Sequence, residues 1–398
     1  MTIRTPTGTA KAGVAGTVRA NMPGLLSLAL ASCLAVTTEM LPVGLLPAIG
    51  AGFDVQESST GLLVSLYAGM VAVLAVPMTI GTRSLPRKPL LLATLAGYVA
   101  SNAIVALAPS FAVVVGGRMV GGAAHALFFS LCIGYAPRLV DRAHVGRAIA
   151  LATGGASVGF VLGVPLSTSL GTALGWRSAF AVLAVSSAVT LLMVAKFLPI
   201  VDSDVPTPRA DSGSGRRSLT AVVSSNALTY VGQYILYTYI SVLFLTAGVS
   251  DSSIGPVLLI CGACGLIGLW FAGRMLDRNP RRTTIVVLSA VLVGVLAVGA
   301  GHPSLIAVVI AAALWNGAFG GVPSLYQSAA VRTHATSPEM AGAWVNASSN
   351  IGIAAGAAIG AMLLPSVGVS GLPWIAASVI AVGLALAVVA RRGFPTAV

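Results

Sequence analysis

The chain has 398 residues, of which 57% are hydrophobic and only 8% are charged. Because soluble domains are about a quarter charged, this composition excludes an ordinary water-soluble enzyme, and the hydrophobicity excludes a disordered chain. It predicts an all-α protein that crosses a lipid bilayer many times. The net charge of +12 would favour nucleic-acid binding in a soluble protein. Here the basic residues lie in short loops between apolar runs, so we expect no nucleic-acid partner.

Twelve apolar runs follow one another along the chain, each close to the ~20 residues that span a bilayer. A polar leader, residues 1–22, precedes them, and we expect it to be disordered and cytoplasmic. The segment 199–218 is rich in Pro, Ser, Gly and Asp, which predicts a flexible cytoplasmic linker. It separates a six-helix bundle at 23–198 from a second at 219–398, which includes a short tail. The predicted spans are 23–50, 60–80, 90–108, 111–136, 146–170, 176–198, 219–247, 253–273, 284–300, 303–330, 340–364 and 371–390.

The loop charges predict the orientation of these spans. Nearly all Lys and Arg residues fall on one side, whereas Asp54, Glu57 and Asp251 fall on the other. Since basic loops remain in the cytoplasm, we expect both termini to be cytoplasmic. The pairs Arg87-Lys88 and Arg281-Arg282 precede the third span of each half, which indicates a two-fold repeat with a binding site between the halves.

Glu39 is the one acidic residue placed well inside a predicted span. A charge at mid-depth costs about 2.5–3.5 kcal/mol, so such residues face a bundle interior or a water-filled cavity. A carboxyl group that alternates between dry and hydrated settings can load and release a proton, and our hypothesis is that Glu39 couples transport to protons. Alternatively, it anchors the helix interrupted by Pro42 and Pro47, which free backbone carbonyls.

Arg118 and His125 lie in the fourth span. Arg118 needs a partner inside the bilayer, and the candidates are the Glu39 carboxylate, backbone carbonyls or a substrate anion. His125 follows two turns later on the same helix face, about 10 Å away. It titrates near neutral pH, so it is a candidate for proton transfer together with Glu39 and Arg118. The alternative for His125 is a packing residue.

The later spans carry aromatic and amide side chains at helical spacing, which suit a mid-sized, partly polar solute. The alternative is an interfacial belt or ordinary packing. The candidate substrate-cavity residues are Tyr230, Gln233, Tyr234, Tyr237, Asn316, Asn346 and Asn350.

Glycines repeat every four residues in the fifth span, a pattern that lets helices approach closely and could allow the halves to rock. The predicted packing or gating residues are Gly155, Gly159, Gly163 and Pro165, together with Pro42 and Pro47. Cys261-Gly-Ala-Cys264 has the spacing of a zinc-binding pair, but a second pair and a nearby His are missing. The sequence therefore predicts no metal site.

The chain resembles the major facilitator superfamily over residues 20–392. The resemblance rests on the twelve spans, the central linker and two basic loops. The second loop, Gly273-Arg-Met-Leu-Asp277-Arg278-Asn-Pro-Arg281-Arg282, is a good copy of the family motif, and it implies an ion-pair latch around Asp277. The first copy keeps Gly81, Arg83, Arg87 and Lys88 but lacks the aspartate. The alternative is a solvated loop that only sets the orientation.

Within that family the chain looks like bacterial drug/proton antiporters, most closely the sugar-efflux and chloramphenicol-resistance members. Three stretches carry this likeness: Thr37-Thr38-Glu39-Met40-Leu41-Pro42-Val43-Gly44-Leu45-Leu46-Pro47, Gly117-Arg118-Met-Val-Gly121-Gly122-Ala-Ala-His125, and Gly163-Val-Pro165-Leu166 with Gly175-Trp176-Arg177. The resemblance implies a monomer in the bacterial cell membrane that exports a small molecule, a drug or a sugar, by alternating access. The proton gradient would supply the energy, and no cofactor is expected.

Three other functions compete with export. A proton/solute symporter that imports a metabolite uses the same kind of site, and only the family likeness favours export. A membrane-embedded enzyme is disfavoured, because the sequence has no catalytic motif such as His-x-x-x-His, Gly-x-Ser-x-Gly or a phosphate loop. A receptor or scaffold would leave the buried Glu39 without an explanation.

Overall fold

A computed structural model describes residues 19–82, 84–140, 145–200, 213–276, 278–336 and 338–394. They form fourteen α-helices, with a short 3-10 helix at Ala136–Leu139 and a π-helix at Gly159–Gly163. In chain order the α-helices are α1 Met22–Phe53, α2 Glu57–Gly81, α3 Arg87–Ala106, α4 Phe111–Tyr135, α5 Val145–Val158, α6 Val164–Leu174, α7 Trp176–Phe197, α8 Gly213–Tyr237, α9 Ile240–Thr246, α10 Asp251–Met275, α11 Pro280–Gly301, α12 Leu305–Phe319, α13 Val322–Arg332 and α14 Pro338–Val389.

Eleven helical segments of the described chain are long and apolar enough to cross a membrane. The last of them, Met340–Val389, has 50 residues and would be about 75 Å long if straight, more than twice the ~30 Å of a hydrocarbon core. Gly368 divides it, with a non-helical φ of 66° and ψ of 173°. The predicted number of twelve spans therefore depends on counting the two limbs of α14 separately.

The bundle has two ends. The basic end holds the start of α3 with Lys88 and the turns at Arg278 and Arg391, and the far end holds the turns at Asp54 and Gly368. The cytoplasmic location predicted for the termini corresponds to the basic end and remains a prediction.

The helices at the centre of the bundle are α1 and the pair α8–α9. Of their most apolar stretches, 72% and 83% of the residues are buried, against 28% in α2 and α10. Side chains on α1 and α8 that are polar or aromatic are therefore held in the interior, where lipid does not reach them.

The first half (residues 19–200) and the second half (residues 213–394) contact each other at mid-depth and toward the far end. There α1 contacts α9, α2 packs along α14, and α6 packs against α10. The buried residues of α2 run from Thr60 to Val71, in the half of this helix that is nearer the far end. The two halves thus close against each other at the far end.

Candidate functional site

Arg118 binds the backbone of α1. Its Nη1 donates to the Thr38 carbonyl at 2.5 Å, and its Nη2 donates to the Glu39 carbonyl at 2.8 Å. Pro42 has no N–H, so the carbonyl four residues earlier, that of Thr38, lacks its helical donor. Of the three partners predicted from the sequence, the structure shows the backbone carbonyls. The helix α1 is continuous from Met22 to Phe53, so Pro42 and Pro47 do not interrupt it as the sequence predicted.

The Glu39 carboxylate faces His125. Its Oε2 lies 3.8 Å from His125 Nε2, and its Oε1 has no hydrogen-bond partner among the described residues. Glu39 and His125 are 7% and 3% exposed, so the pair is almost fully withdrawn from solvent. A buried carboxylate with one free oxygen is equipped to take up a proton or to accept a hydrogen bond from a solute.

Tyr67 completes this cluster, and sequence reasoning missed it. Its hydroxyl lies 3.1 Å from His125 Nδ1, and the Arg118 guanidinium lies 4.1 Å above its ring. Gly121 and Gly122 make room for Tyr67, since a Cβ at Gly122 would come within 2.6 Å of the Tyr67 carbonyl. In the sequence, Gly121 and Gly122 were the one indication that a bulky residue of another helix packs against α4 near His125.

The tyrosines of α8 form one aromatic surface beside Glu39. Tyr230 and Tyr234 stack with ring centroids 6.2 Å apart, and Tyr234 meets Tyr237 at 5.7 Å. The Tyr234 hydroxyl reaches Met40 Sδ at 3.4 Å, and Phe160 of the first half stacks on Tyr237 at 5.7 Å. Both halves therefore contribute to this surface.

The predicted amide residues differ in their free hydrogen-bonding capacity. Gln233 accepts a hydrogen bond from Trp315 Nε1 at 2.6 Å, and Asn316 donates to the Ala312 carbonyl of its own helix at 2.9 Å. Asn350 donates to Asn346, while its Oδ1 has no partner in the described part of the chain. Of these amides, Asn350 retains an acceptor for a solute.

Pro47 creates a contact between the halves. It leaves the Val43 carbonyl without a helical donor, and Ser241 of the second half donates its hydroxyl to that carbonyl at 2.9 Å. A cavity of about 610 Å³ opens beyond this bond toward the far end, with Val242 and Pro365 in its walls.

The predicted glycine stripe lies against α1. A Cβ on Gly155 or Gly159 would overlap the carbonyl of Ala29 or Cys33, and one on Gly163 would overlap the Thr37 hydroxyl. Pro165 is buried in the first turn of α6, just after the π-helix. Because these glycines have no side chain, the fifth span comes into backbone contact with α1, the helix that carries Glu39.

The basic residues of the loop motifs hold helix ends. Lys88 Nζ donates to the carbonyls of Ala195 and Leu198 at 2.8 and 2.6 Å, at the end of α7. Arg281 Nη2 donates to the Val388 carbonyl at 2.7 Å, at the end of α14.

The other motif residues surround these two. Gly81 ends α2, Gly273 lies near the end of α10, Arg87 begins α3 and Arg278 is exposed in the turn before α11. Arg83 and Asp277 lie outside the described residues, so the latch predicted around Asp277 remains a prediction.

No group of three His, Cys, Asp or Glu side chains in the described ranges is arranged to hold a metal ion. The site is thus a set of polar and aromatic side chains between two helical halves, with Glu39, His125, Tyr67 and Arg118 on one side and the α8 tyrosines on the other.

Comparisons with known proteins place this arrangement in a family. The sequence model of the Major Facilitator Superfamily matches residues 28–343. The uncharacterized MFS-type transporter YfhI of Bacillus subtilis is 33% identical over 83% of this chain and 84% of its own length. The chloramphenicol efflux pump Rv0191 of Mycobacterium tuberculosis is 32% identical over 90% of each chain.

Solved structures share the fold. A bacterial homologue of the human lysosomal transporter Spinster, in an inward-facing and unoccupied conformation, superposes with a TM-score of 0.77 at 15% identity, over 95% of this chain and 98% of the other. A D-xylose-proton symporter gives a TM-score of 0.74 at 14% identity, over 96% and 99% of the two chains.

Proposed function

The chain belongs to the major facilitator superfamily, is a membrane transporter and not an enzyme, and we propose that it exports a small molecule of the chloramphenicol type in exchange for protons. The similarity to a chloramphenicol efflux pump over nine-tenths of both chains supports the substrate class. We further propose that it acts as a monomer in the bacterial cell membrane, with the proton gradient as its energy source and no cofactor.

The observation that carries the proposal is the Glu39 carboxylate, buried at mid-depth with one oxygen unpartnered among the described residues. An uncompensated carboxylate at this depth is expensive and usually marks an ion or proton pathway. His125 at 3.8 Å supplies a second group that can exchange protons with it.

The aromatic surface supports binding of a partly polar, ring-containing solute. Tyr230, Tyr234, Tyr237 and Phe160 offer ring faces, and Asn350 offers a free acceptor. Pockets for such molecules are mostly apolar, with a few polar groups that fix orientation.

The closure of the halves at the far end represents one state of an alternating-access cycle, and the proposed direction of transport rests on the similarity to a chloramphenicol efflux pump. If the basic end is cytoplasmic, the closed far end blocks the outward path from the buried surface beside Glu39. Export then requires the halves to open at the far end, where an external proton would reach Glu39 and drive the return.

The test uses bacteria that lack their own exporters and express the wild-type chain or Glu39→Gln. Chloramphenicol efflux is measured with and without a proton uncoupler. Wild type is expected to give uncoupler-sensitive efflux, and Glu39→Gln to abolish it. Equal export by both proteins would remove Glu39 from the coupling mechanism, and uncoupler-sensitive uptake instead of efflux would indicate a symporter.

A further inference from the structure

The imidazole of His125 bridges a phenol and a carboxylate. Its Nδ1 lies 3.1 Å from the Tyr67 hydroxyl, and its Nε2 lies 3.8 Å from Glu39 Oε2. Tyr67 is fully buried, and His125 is 3% exposed. The orientation of the ring is thus set by groups on two other helices, α2 and α1.

Tyr67 is itself held in place by two residues of α4. Arg118 covers its ring at 4.1 Å, and the same guanidinium is fixed to the carbonyls of Thr38 and Glu39. Gly121 lies so close that an added Cβ would come within 2.8 Å of Tyr67 Cε2. The hydroxyl therefore stays at Nδ1 while the carboxylate changes its protonation.

The chemistry of a neutral imidazole constrains what this arrangement can do. One ring nitrogen is a donor and the other an acceptor. When Glu39 is ionised it only accepts, so Nε2 must carry the hydrogen and Tyr67 donates to Nδ1. When Glu39 is protonated it donates to Nε2, so Nδ1 carries the hydrogen and the Tyr67 oxygen accepts it.

A phenol serves in both states because it is both a donor and an acceptor. Between the two states the cluster loses one proton, which water takes up, while Tyr67 and the neutral His125 keep one each. The Nε2–Oε2 distance of 3.8 Å must shorten by about 1 Å for the direct hydrogen bond to form.

We propose that Tyr67 is a positioning residue of the proton-coupling site, whose hydroxyl holds His125 with Nε2 toward Glu39 and exchanges donor and acceptor roles as Glu39 gains and loses its proton. The proposal rests on the proposed proton-coupled function. The groups that face His125 are Glu39 from α1, Tyr67 from α2, Tyr98 from α3 at a centroid distance of 6.2 Å, and Arg118 from α4 itself. Protonation of His125 would place a second positive charge beside that of Arg118, which is electrostatically costly, so His125 acts as the neutral imidazole.

The first experiment detects the tautomer directly and needs no substrate. The protein is labelled with ¹⁵N-histidine after His144, His302 and His334 are replaced by Gln, so that only His125 reports. The expected spectrum changes from the Nδ1–H to the Nε2–H tautomer as pH rises, and Glu39→Gln removes this change. With Tyr67→Phe, which keeps the ring under Arg118, the imidazole is no longer held with Nε2 toward Glu39 and can turn over, so we expect both tautomers together at every pH.

The second experiment measures the pH profile of chloramphenicol efflux for Tyr67→Phe. Tyr239→Phe is the matched control, because it also removes a buried phenol hydroxyl, one that donates to the Ala357 carbonyl at 3.3 Å. Tyr67→Phe is expected to lower proton-driven efflux about tenfold and to shift its pH profile, while the control keeps the wild-type profile.

The outcomes separate the two proposals. If Tyr67→Phe shows the wild-type tautomer change and the wild-type pH profile, the positioning role is wrong. If the wild-type protein moves no chloramphenicol, the substrate assignment fails, and the tautomer measurement alone still decides the role of Tyr67.

Discussion

The hydroxyl of Ser241 bonds to the Val43 carbonyl across the two halves, and Ser241→Ala removes this bond. Hydrogen bonds between helices in membranes contribute about 0.6 kcal/mol on average and up to about 1.7 kcal/mol. We therefore expect the ratio of far-end-open to far-end-closed molecules to rise about threefold, and by no more than about twentyfold.

The assay places spin labels on Gln56 and Ser366, which are exposed at the far end on opposite halves. The four free cysteines are first replaced so that only the labelled positions react. Double electron–electron resonance then gives the populations of short and long distances. Thr238→Val is the matched control, since the hydrogen bond that its buried hydroxyl donates to the Tyr234 carbonyl, at 2.8 Å, stays within the second half.

A second variant tests the origin of the bond. Pro47→Ala supplies a backbone N–H that competes with Ser241 for the Val43 carbonyl, so it is expected to shift the populations in the same direction. The double variant should then shift them little further, because both changes act on one bond. If Ser241→Ala moves the populations no more than Thr238→Val does, the Ser241 hydrogen bond does not hold the far end closed.

Two further predictions concern stability. Gly155→Val places a side chain into the backbone of α1 and is expected to abolish folded protein. Gly154→Val should be tolerated, because a Cβ at Gly154 meets nothing within 4 Å. Detergent gel filtration compares the yields of the two variants. Lys88→Gln weakens two charge-assisted hydrogen bonds and should destabilise the first half by on the order of 1 kcal/mol. If the thermal unfolding midpoint of Lys88→Gln is no lower than that of Arg87→Gln, Lys88 does not stabilise the end of α7.

The spans could be predicted from the sequence because the bilayer demands long apolar runs. The predicted span 111–136 corresponds to α4, Phe111–Tyr135, and 176–198 corresponds to α7, Trp176–Phe197. An interruption was expected at Pro42 and Pro47, where α1 is continuous, whereas the interruptions that the structure shows in later spans were not predicted. The predicted span 219–247 is divided between α8 and α9 near Thr238 and Tyr239, a change in backbone direction that leaves hydropathy unaffected.

Several members of the candidate site were predictable from the sequence, including the tyrosines of α8, but the contacts between them were not. Glu39, Arg118 and His125 stand out because they are costly in an apolar helix, and the structure brings them together. That Arg118 binds carbonyls and that Tyr67 touches His125 depends on how three helices pack. Every residue has a backbone carbonyl, so the sequence does not show which carbonyls bind Arg118. An uncharged tyrosine in a span fits ordinary packing or an interfacial belt as well as it fits a functional site.

The helix-end contacts of Lys88 and Arg281 have a consequence for how the chain can be divided. Each fixes the last helix of its own half to the start of the third helix, so a cut within the connection at 201–212 leaves both sets of contacts inside one half. Two separately expressed polypeptides, cut within that connection, would be able to assemble into a working transporter.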